Sequence, residues 1–273
     1  MAVRGVRNLE IHAAHACNLR CESCTHYSNQ LHKGFVSLDD AAAWMSAWDR
    51  RLSPQTFSVL GGEPTLHPDL TGFVRLARRH WPTAHLRLVT NGFFLHRHPD
   101  LGKVLGDDPD AAVYVSVHHP DPEYAAKVQP GLDTLARWRA AHGLNWFRYD
   151  AVGMWKRTYR GTGADLEPFA DGDPRSSWEH CDSKFCTQLF EGKLWKCAPL
   201  AYLPMQHAKY GLSEKWSPYL QYRPLSPDCT NAELDAFFNR EHEAACGMCP
   251  ARPESFLLPN PLLPLGLPRA KVS

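Results

Sequence analysis

The chain has 273 residues, 44% of them hydrophobic, and a formal net charge of +1 at pH 7. That length and apolar content suit one large domain, or one domain with a small appendage, around a sizeable core. The balanced charge and the lack of any long basic run exclude a general attraction to nucleic acid or to acidic membranes.

The opening MAVRGVRN lacks the apolar segment of a signal peptide, and no run reaches the roughly 20 apolar residues of a membrane span. The expectation is a cytoplasmic protein with neither nucleic acid nor membrane as partner. Nine cysteines in such a chain point to metal or redox chemistry, and an odd count fits pairwise bridging poorly.

Taken in order, short β-branched apolar runs alternate with helical patterns, the arrangement of βα units around a parallel sheet. NLEIHA (8–13) is the first predicted strand. A helix follows over SLDDAAAWMSAWDRRL, with Ser37 as its cap, Asp39 and Asp40 at its positive end, and Ala, Trp and Met along its apolar stripe. Strands are predicted at 56–61, 85–90, 112–118 and 145–152. The helices between them are DLTGFVRLARRHW, stopped by Pro82, a second near 97–105, and a third over 121–142 that carries Leu132, Leu135 and Trp138. A sixth strand is not evident.

From about residue 153 the texture becomes rich in Gly, Pro and Asp, so the alternation stops and a loop-rich module begins. It contains a predicted hairpin, CTQLFEGKLWKC, turning at Glu191 and Gly192. The closing stretch has prolines too closely spaced for a helix and reads as an extended surface tail. The expected division is a core over 1–155, a second module over 156–250 and a tail over 251–273.

Cys17, Cys21 and Cys24 stand at a Cys-x3-Cys-x2-Cys spacing directly after the first strand. Three thiolates on one loop can hold three irons of a cubane cluster and leave the fourth iron open. The end of a parallel strand is also where barrel enzymes keep their chemistry. The competing reading is a structural zinc site completed by His15, His26 or a distant cysteine. A second motif, GGEPTLHP, ends the next strand: Gly61 and Gly62 permit close approach to a ligand, and Glu63, followed by Pro64, offers a carboxylate to an ammonium group.

Together these motifs resemble the radical S-adenosylmethionine (SAM) superfamily over roughly residues 8–152. The resemblance implies an α/β fold built as a partial (β/α)5-6 barrel. It also implies a [4Fe-4S] cluster on Cys17, Cys21 and Cys24 whose open iron chelates SAM, and hydrogen abstraction by a 5′-deoxyadenosyl radical. By position, Gly61, Gly62, Glu63, Pro64, Asn91, Ser116 and Arg148 match cofactor-contacting sites. The residue before the third cysteine, usually aromatic in the family, is Ser23 here, which leaves Tyr27 or His26 to face the adenine.

The second module resembles the twitch domain that carries an auxiliary [4Fe-4S] cluster in some radical SAM enzymes: Cys181, Gly192 and Cys197 fit its spacing, and Cys246 and Cys249 supply its terminal pair. Cys186 and Cys229 are additional. Either Cys186 is extra, or it is a ligand and one terminal thiol is free. The assignment expected here puts Cys181, Cys186, Cys197 and Cys246 on iron and leaves Cys249 as a hydrogen donor; its competitor puts the whole terminal pair on iron.

Asp165, Glu167, Asp171, Asp173, Glu179 and Asp182 stand against a single Arg175 between residues 165 and 182, a local acid excess that would stabilise a cationic ligand. The expected substrate contacts are Asp165, Glu167, Glu179 and Asp182, with Glu22 from the cysteine loop. The whole resembles the aminoglycoside-tailoring branch of the superfamily, which implies a polycationic amino-sugar substrate, a flavodoxin- or ferredoxin-type electron donor, and epimerisation. The alternatives are an amino-sugar or cyclitol dehydrogenase, then a peptide-modifying enzyme, and, from another class, a non-catalytic iron-sulfur or zinc protein.

Overall fold

Alternation along β1 (Arg4–Ala14) sends Leu9, Ile11 and Ala13 into the helix-covered core and turns Asn8, Glu10 and His12 to the other face of the sheet. The computed structural model describes residues 3–153 and 155–262. After β1 come α1 (Leu38–Ser46), β2 (Leu52–Gly61), α2 (Leu70–His80), β3 (His85–Thr90), α3 (Leu101–Gly106), β4 (Ala111–Val117), α4 (Pro122–His142) and β5 (Trp146–Asp150). These five strands are parallel neighbours in the order β5-β4-β3-β2-β1.

The helix cap read from the sequence forms: Ser37 accepts from the Asp40 N–H, and at the next helix Asp69 accepts from that of Gly72. β1 and β2 begin four residues before the predicted strands, because Val6 and Leu52 add a buried layer below segments whose Gly5, Ser53 and Pro54 are poor strand formers. The helix expected over 97–105 is two pieces. A single 3-10 turn, Leu95–Arg97, is cut from α3 by Pro99, which holds His98 at φ −119°, ψ 73°.

The remaining elements are β6 (Trp155–Lys156), α5 (Pro174–Glu179), β7 (Thr187–Phe190), β8 (Lys193–Trp195), α6 (Ala198–Tyr210), α7 (Ser217–Leu220), α8 (Asn231–Asn239) and β9 (Ser255–Phe256). The predicted hairpin is β7-β8, and Glu191 and Gly192 turn it with positive φ values of 52° and 72°. It joins the main sheet: β7 lies parallel to β1, with Leu9 opposite Thr187 and Glu10 opposite Gln188. The sixth parallel strand therefore extends the sheet beyond β1 rather than beyond β5, and four residues long it carries too little pattern to be read as part of the barrel.

A second apolar cluster, containing Tyr27, Tyr159, Trp195, Tyr202 and Trp216, packs beside this hairpin. The tail is pinned where it is described: β9 pairs with β6, and the Pro261 carbonyl accepts from the Arg20 N–H at 2.9 Å. Its remaining part, from 263 on, lies outside the described residues. Among the described residues no helix is long and apolar enough to cross a membrane.

Candidate active site

The cysteine loop leaves β1 at Ala14 and is held down by the end of β2. Gly62 N–H donates to Ala14 O and Glu63 N–H to Ala16 O, each at 2.8 Å. A Cβ on Gly61 would collide with Ala14 O, and one on Gly62 with Ala16 O. The two glycines thus let the loop settle on the strand end.

Glu63 is buried, and burial raises its pKa against the pull of its hydrogen bonds. Its Oε1 accepts from Thr65 N, Thr65 Oγ1 and Thr90 Oγ1, and its Oε2 from Asn91 N at 2.7 Å. The carboxylate read as an ammonium ligand is largely spent on tying β2 to β3, with spare acceptor capacity only at Oε2. Pro64 opens the 3-10 turn Pro64–Leu66 that follows.

A pocket of about 230 Å³ opens above these groups. Cys17, Cys21 and Cys24 line it, as do Gly61, Gly62, Glu63, Asn91 and Ser116 from the sequence reading. Asn91 is steered by Asn18, whose Oδ1 accepts from its Nδ2 at 2.8 Å. His26 and Asn29 line the pocket too, and His26 Nε2 and Asn29 Nδ2 are buried without a partner. Orphaned polar atoms beside three thiols fit a polar, cluster-bound cofactor. No three His, Cys, Asp or Glu side chains among the described residues converge as a single-ion site would require.

Two expected contacts fall elsewhere. Tyr27 is fully buried in the second apolar cluster, stacked on Tyr159, so His26 is the ring that faces the pocket. Arg148 is half exposed on the edge strand β5 and pairs with Asp150 at 2.8 Å, away from the pocket.

A second cavity of about 300 Å³ shares Thr25, Ser116, His118 and Trp155 with the first. His118, which the sequence reading gave no role, stands at the junction with Nδ1 3.8 Å from Cys21 Sγ, and burial lowers its pKa to about 4. Its signal was its place one residue past β4. Cys181, Cys197 and Cys249 form part of this cavity's wall.

Those three thiols and Cys246 also surround a small apolar pocket. Cys181 follows α5, Cys197 caps α6, and Cys246 and Cys249 sit at the 3-10 segment Ala244–Met248, held by a 2.9 Å bond from Ser177 Oγ to Cys249 O. Burial and the neighbouring Cys181 and Cys246 push the Cys249 thiol up. Cys186 does not line that pocket, although Cys181 is among the groups that push its thiol up. It lies beside Glu10 and 3.9 Å from Asn8 Nδ2, because it shares a strand face with Gln188, whose amide donates to Glu10. Cys229 lies 3.4 Å from Arg51.

The acid excess does not converge on the cavity. Asp182 alone of the expected substrate carboxylates lines it, paired with Lys156 at 2.8 Å. Glu22 pairs with Arg157, Glu167 with Lys215 at 2.5 Å and Glu179 with Arg175 at 2.9 Å, while Asp165 closes the 3-10 turn Gly163–Asp165. Asp173 caps α5. These charges satisfy local partners instead of a common ligand.

Residues 11–144 match the family model for the Radical SAM superfamily. This segment is a radical SAM domain. Its mostly parallel α/β sheet is the one typical of the radical SAM partial barrel, and the domain implies a [4Fe-4S] cluster and SAM as cofactors. The GTP 3′,8-cyclase of Nautilia profundicola is 28% identical over 129 residues, which are 46% of this chain and 39% of the cyclase. Among solved structures, anSMEcpe with AdoMet bound is 19% identical with a TM-score of 0.41, the match covering 52% of this chain and 42% of that one. Streptococcus suis SuiB bound to S-adenosylmethionine is 16% identical with a TM-score of 0.42, over 53% of this chain and 34% of that one. The chain therefore spans well under half the length of each of these three relatives.

Proposed function

We propose that this radical SAM enzyme is an epimerase of an aminoglycoside, inverting C5‴ of neomycin C to give neomycin B, with Cys249 as hydrogen donor. The observation that supports it is the cavity of about 300 Å³, which borders the SAM pocket on one side and carries Cys249 on another. A carbon held between those walls has hydrogen removed from one face and returned from the other.

When bound, SAM and the cluster on Cys17, Cys21 and Cys24 supply a 5′-deoxyadenosyl radical, and a second [4Fe-4S] cluster on Cys181, Cys197 and Cys246 supplies an electron. Thr25, Ser116 and Ser183 offer hydroxyls to a sugar, and the faces of Trp155 and Tyr149 suit its C–H surface. Asp182 meets an ammonium group at the rim. Cys249 gives a hydrogen atom to the carbon radical, and its sulfur then regains one electron and one proton, drawn from a flavodoxin- or ferredoxin-type donor and from water.

One observation favours a second reading. Cys249 shares its pocket with the other three thiols, so it can complete a four-cysteine ligand set. The enzyme would then be a dehydrogenase of an amino sugar or cyclitol, with the cluster as electron acceptor. Anaerobic turnover of neomycin C in deuterated water, read by mass spectrometry and NMR, separates the two. One deuterium on an inverted carbon is expected. A product two mass units lighter would overturn the epimerase and return Cys249 to the cluster.

A further inference from the structure

A groove of about 210 Å³ lies at the start of β1, at the other end of that strand from the cysteine loop. Arg4 and Arg7 of β1, Lys184 ahead of β7, Lys196 just after β8 and Arg240 after α8 line it, and no carboxylate does. Two carboxylates nearby answer three of these five cations: Asp235 meets Arg4 at 2.5 Å, and Glu243 meets Lys196 at 3.2 Å and Arg240 at 2.9 Å. Arg7 is exposed and rests over the Phe185 ring, 4.5 Å from its centroid, and Lys184 Nζ donates to Glu179 O at 3.0 Å; neither has a carboxylate partner among the described residues. Phe185 also lines the groove and is 46% exposed. An apolar ring inside a cationic rim, in a chain of net charge +1, has the composition of a docking surface for an acidic protein.

The wall of this groove is also a wall of the four-thiol pocket, because Lys184 and Lys196 line both. Lys196 is the residue before Cys197, and Lys184 comes three after Cys181. The other basic cavity, around Arg75, Arg78 and Arg79, shares no residue with either thiol site and contains Asp107 and Asp108.

We propose that this groove docks an acidic one-electron carrier protein of the flavodoxin or ferredoxin class and that the electron enters the enzyme here, at the second thiol site, an assignment that rests on the auxiliary cluster of the proposed function. The carrier loses one electron and the second site gains one. In the epimerase reading that electron, with a proton from water, restores the Cys249 thiol. In the dehydrogenase reading the same contact drains the electron to an oxidised carrier, so the surface serves either reaction. The groove shares no residue with the cavity of about 300 Å³, which gives carrier and substrate separate entrances. The cations steer the encounter, raising the rate of association and making it depend on salt.

The test uses the full chain with Cys17, Cys21 and Cys24 replaced by alanine and reconstituted with iron, so that only the second site accepts an electron. Reduced flavodoxin is mixed with this parent, and its reoxidation is followed by stopped-flow absorbance. The rate is expected to fall as salt is added and to drop about tenfold or more in Arg7→Glu and in Lys184→Glu, with Arg7→Lys keeping the parent's rate. Dithionite, which needs no docking, is expected to reduce the second site of Arg7→Glu as fast as that of the parent. Flavodoxin rates unchanged in both charge-reversed variants, a parent rate indifferent to salt, or no electron transfer to an iron-loaded parent would each overturn the groove as the docking surface. Single-stranded DNA held there more tightly than flavodoxin would overturn it too. A parent that binds no iron would overturn the second cluster itself, and the entry point with it.

Discussion

The backbone N–H of Thr158 donates to the hydroxyl of Ser23 at 2.8 Å, across the wall of the larger cavity. With the Glu22–Arg157 pair and the bond from the Tyr159 phenol to Cys24 O, it fastens residues 157–159 along residues 22–24, so the cavity wall is fixed to the cysteine loop. The small side chain at 23, where the family has an aromatic, is what lets the wall approach. Ser23→Ala keeps the approach and removes the acceptor, leaving a polar N–H unpaired at a cost of about 1–3 kcal/mol. The expected outcome is a lower denaturant midpoint with iron content unchanged; an unchanged midpoint would show that water replaces the hydroxyl.

Gly62 gives a sharper test of the loop. Ala16 O occupies the space a Cβ would need, and both partners are backbone, so neither can swing aside. Gly62→Ala must push the cysteine loop off β2, at an overpacking cost of about 1–3 kcal/mol. We expect iron and SAM binding at the first site to fall together, the second site keeping its iron, as read by iron per chain and SAM titration. Full SAM binding in this variant would mean that the loop is not seated on β2 when loaded.

What was legible in the sequence is what lies close along the chain. Cys17, Cys21 and Cys24 share one loop, and the glycines that seat it come at the end of the next strand, so spacing alone groups them. Cys181, Cys197, Cys246 and Cys249 are gathered by α5, the end of β8, the start of α6 and a 3-10 segment, and a spacing that leaves Cys186 over does not say where Cys186 lies. That residue is lost to the group by strand parity: β7 begins at Thr187, and Gln188 already commits the face to Glu10. The acidic run misled for a related reason. Arg175 and Glu179 stand at i and i+4 on one helix and Asp173 at its cap, patterns that predict local pairing.

The histidines inside the barrel set an acid limit. His12 stacks on Tyr202 at 3.9 Å and brings Nδ1 within 3.5 Å of His15 Nδ1; His32 touches Gln206. Burial lowers all three, His12 further through its histidine neighbours and His32 through Lys209, and His15 and His32 reach about 4 from 6.5. Between those values the unfolded chain binds protons that the folded chain refuses. The stability that these three contribute is therefore complete above about pH 6.5 and is lost as pH falls toward 4. Denaturant midpoints of the iron-free chain across this window are expected to fall with pH, and His32→Gln to make the fall shallower. An equal slope in that variant would place the proton uptake elsewhere.

Cysteine replacement tests the grouping most directly, because iron counts do not depend on knowing the substrate. Alanine at Cys17, Cys21 or Cys24 is expected to remove the iron of the first site, and alanine at Cys181, Cys197 or Cys246 that of the second. Cys186→Ala is expected to leave both, since Cys186 bonds to Asn8 and Glu10 and does not line the pocket of the other four thiols. Cys249→Ala divides the two functional readings before any product is analysed. With Cys249 as donor, the second site keeps its iron and its EPR signal while inversion stops. With Cys249 as fourth ligand, iron at that site falls and the signal changes, because a cubane deprived of one of four thiolates is left open to solvent and oxidation. Loss of iron from Cys186→Ala would reverse the assignment and mean that loading draws β7 away from Glu10.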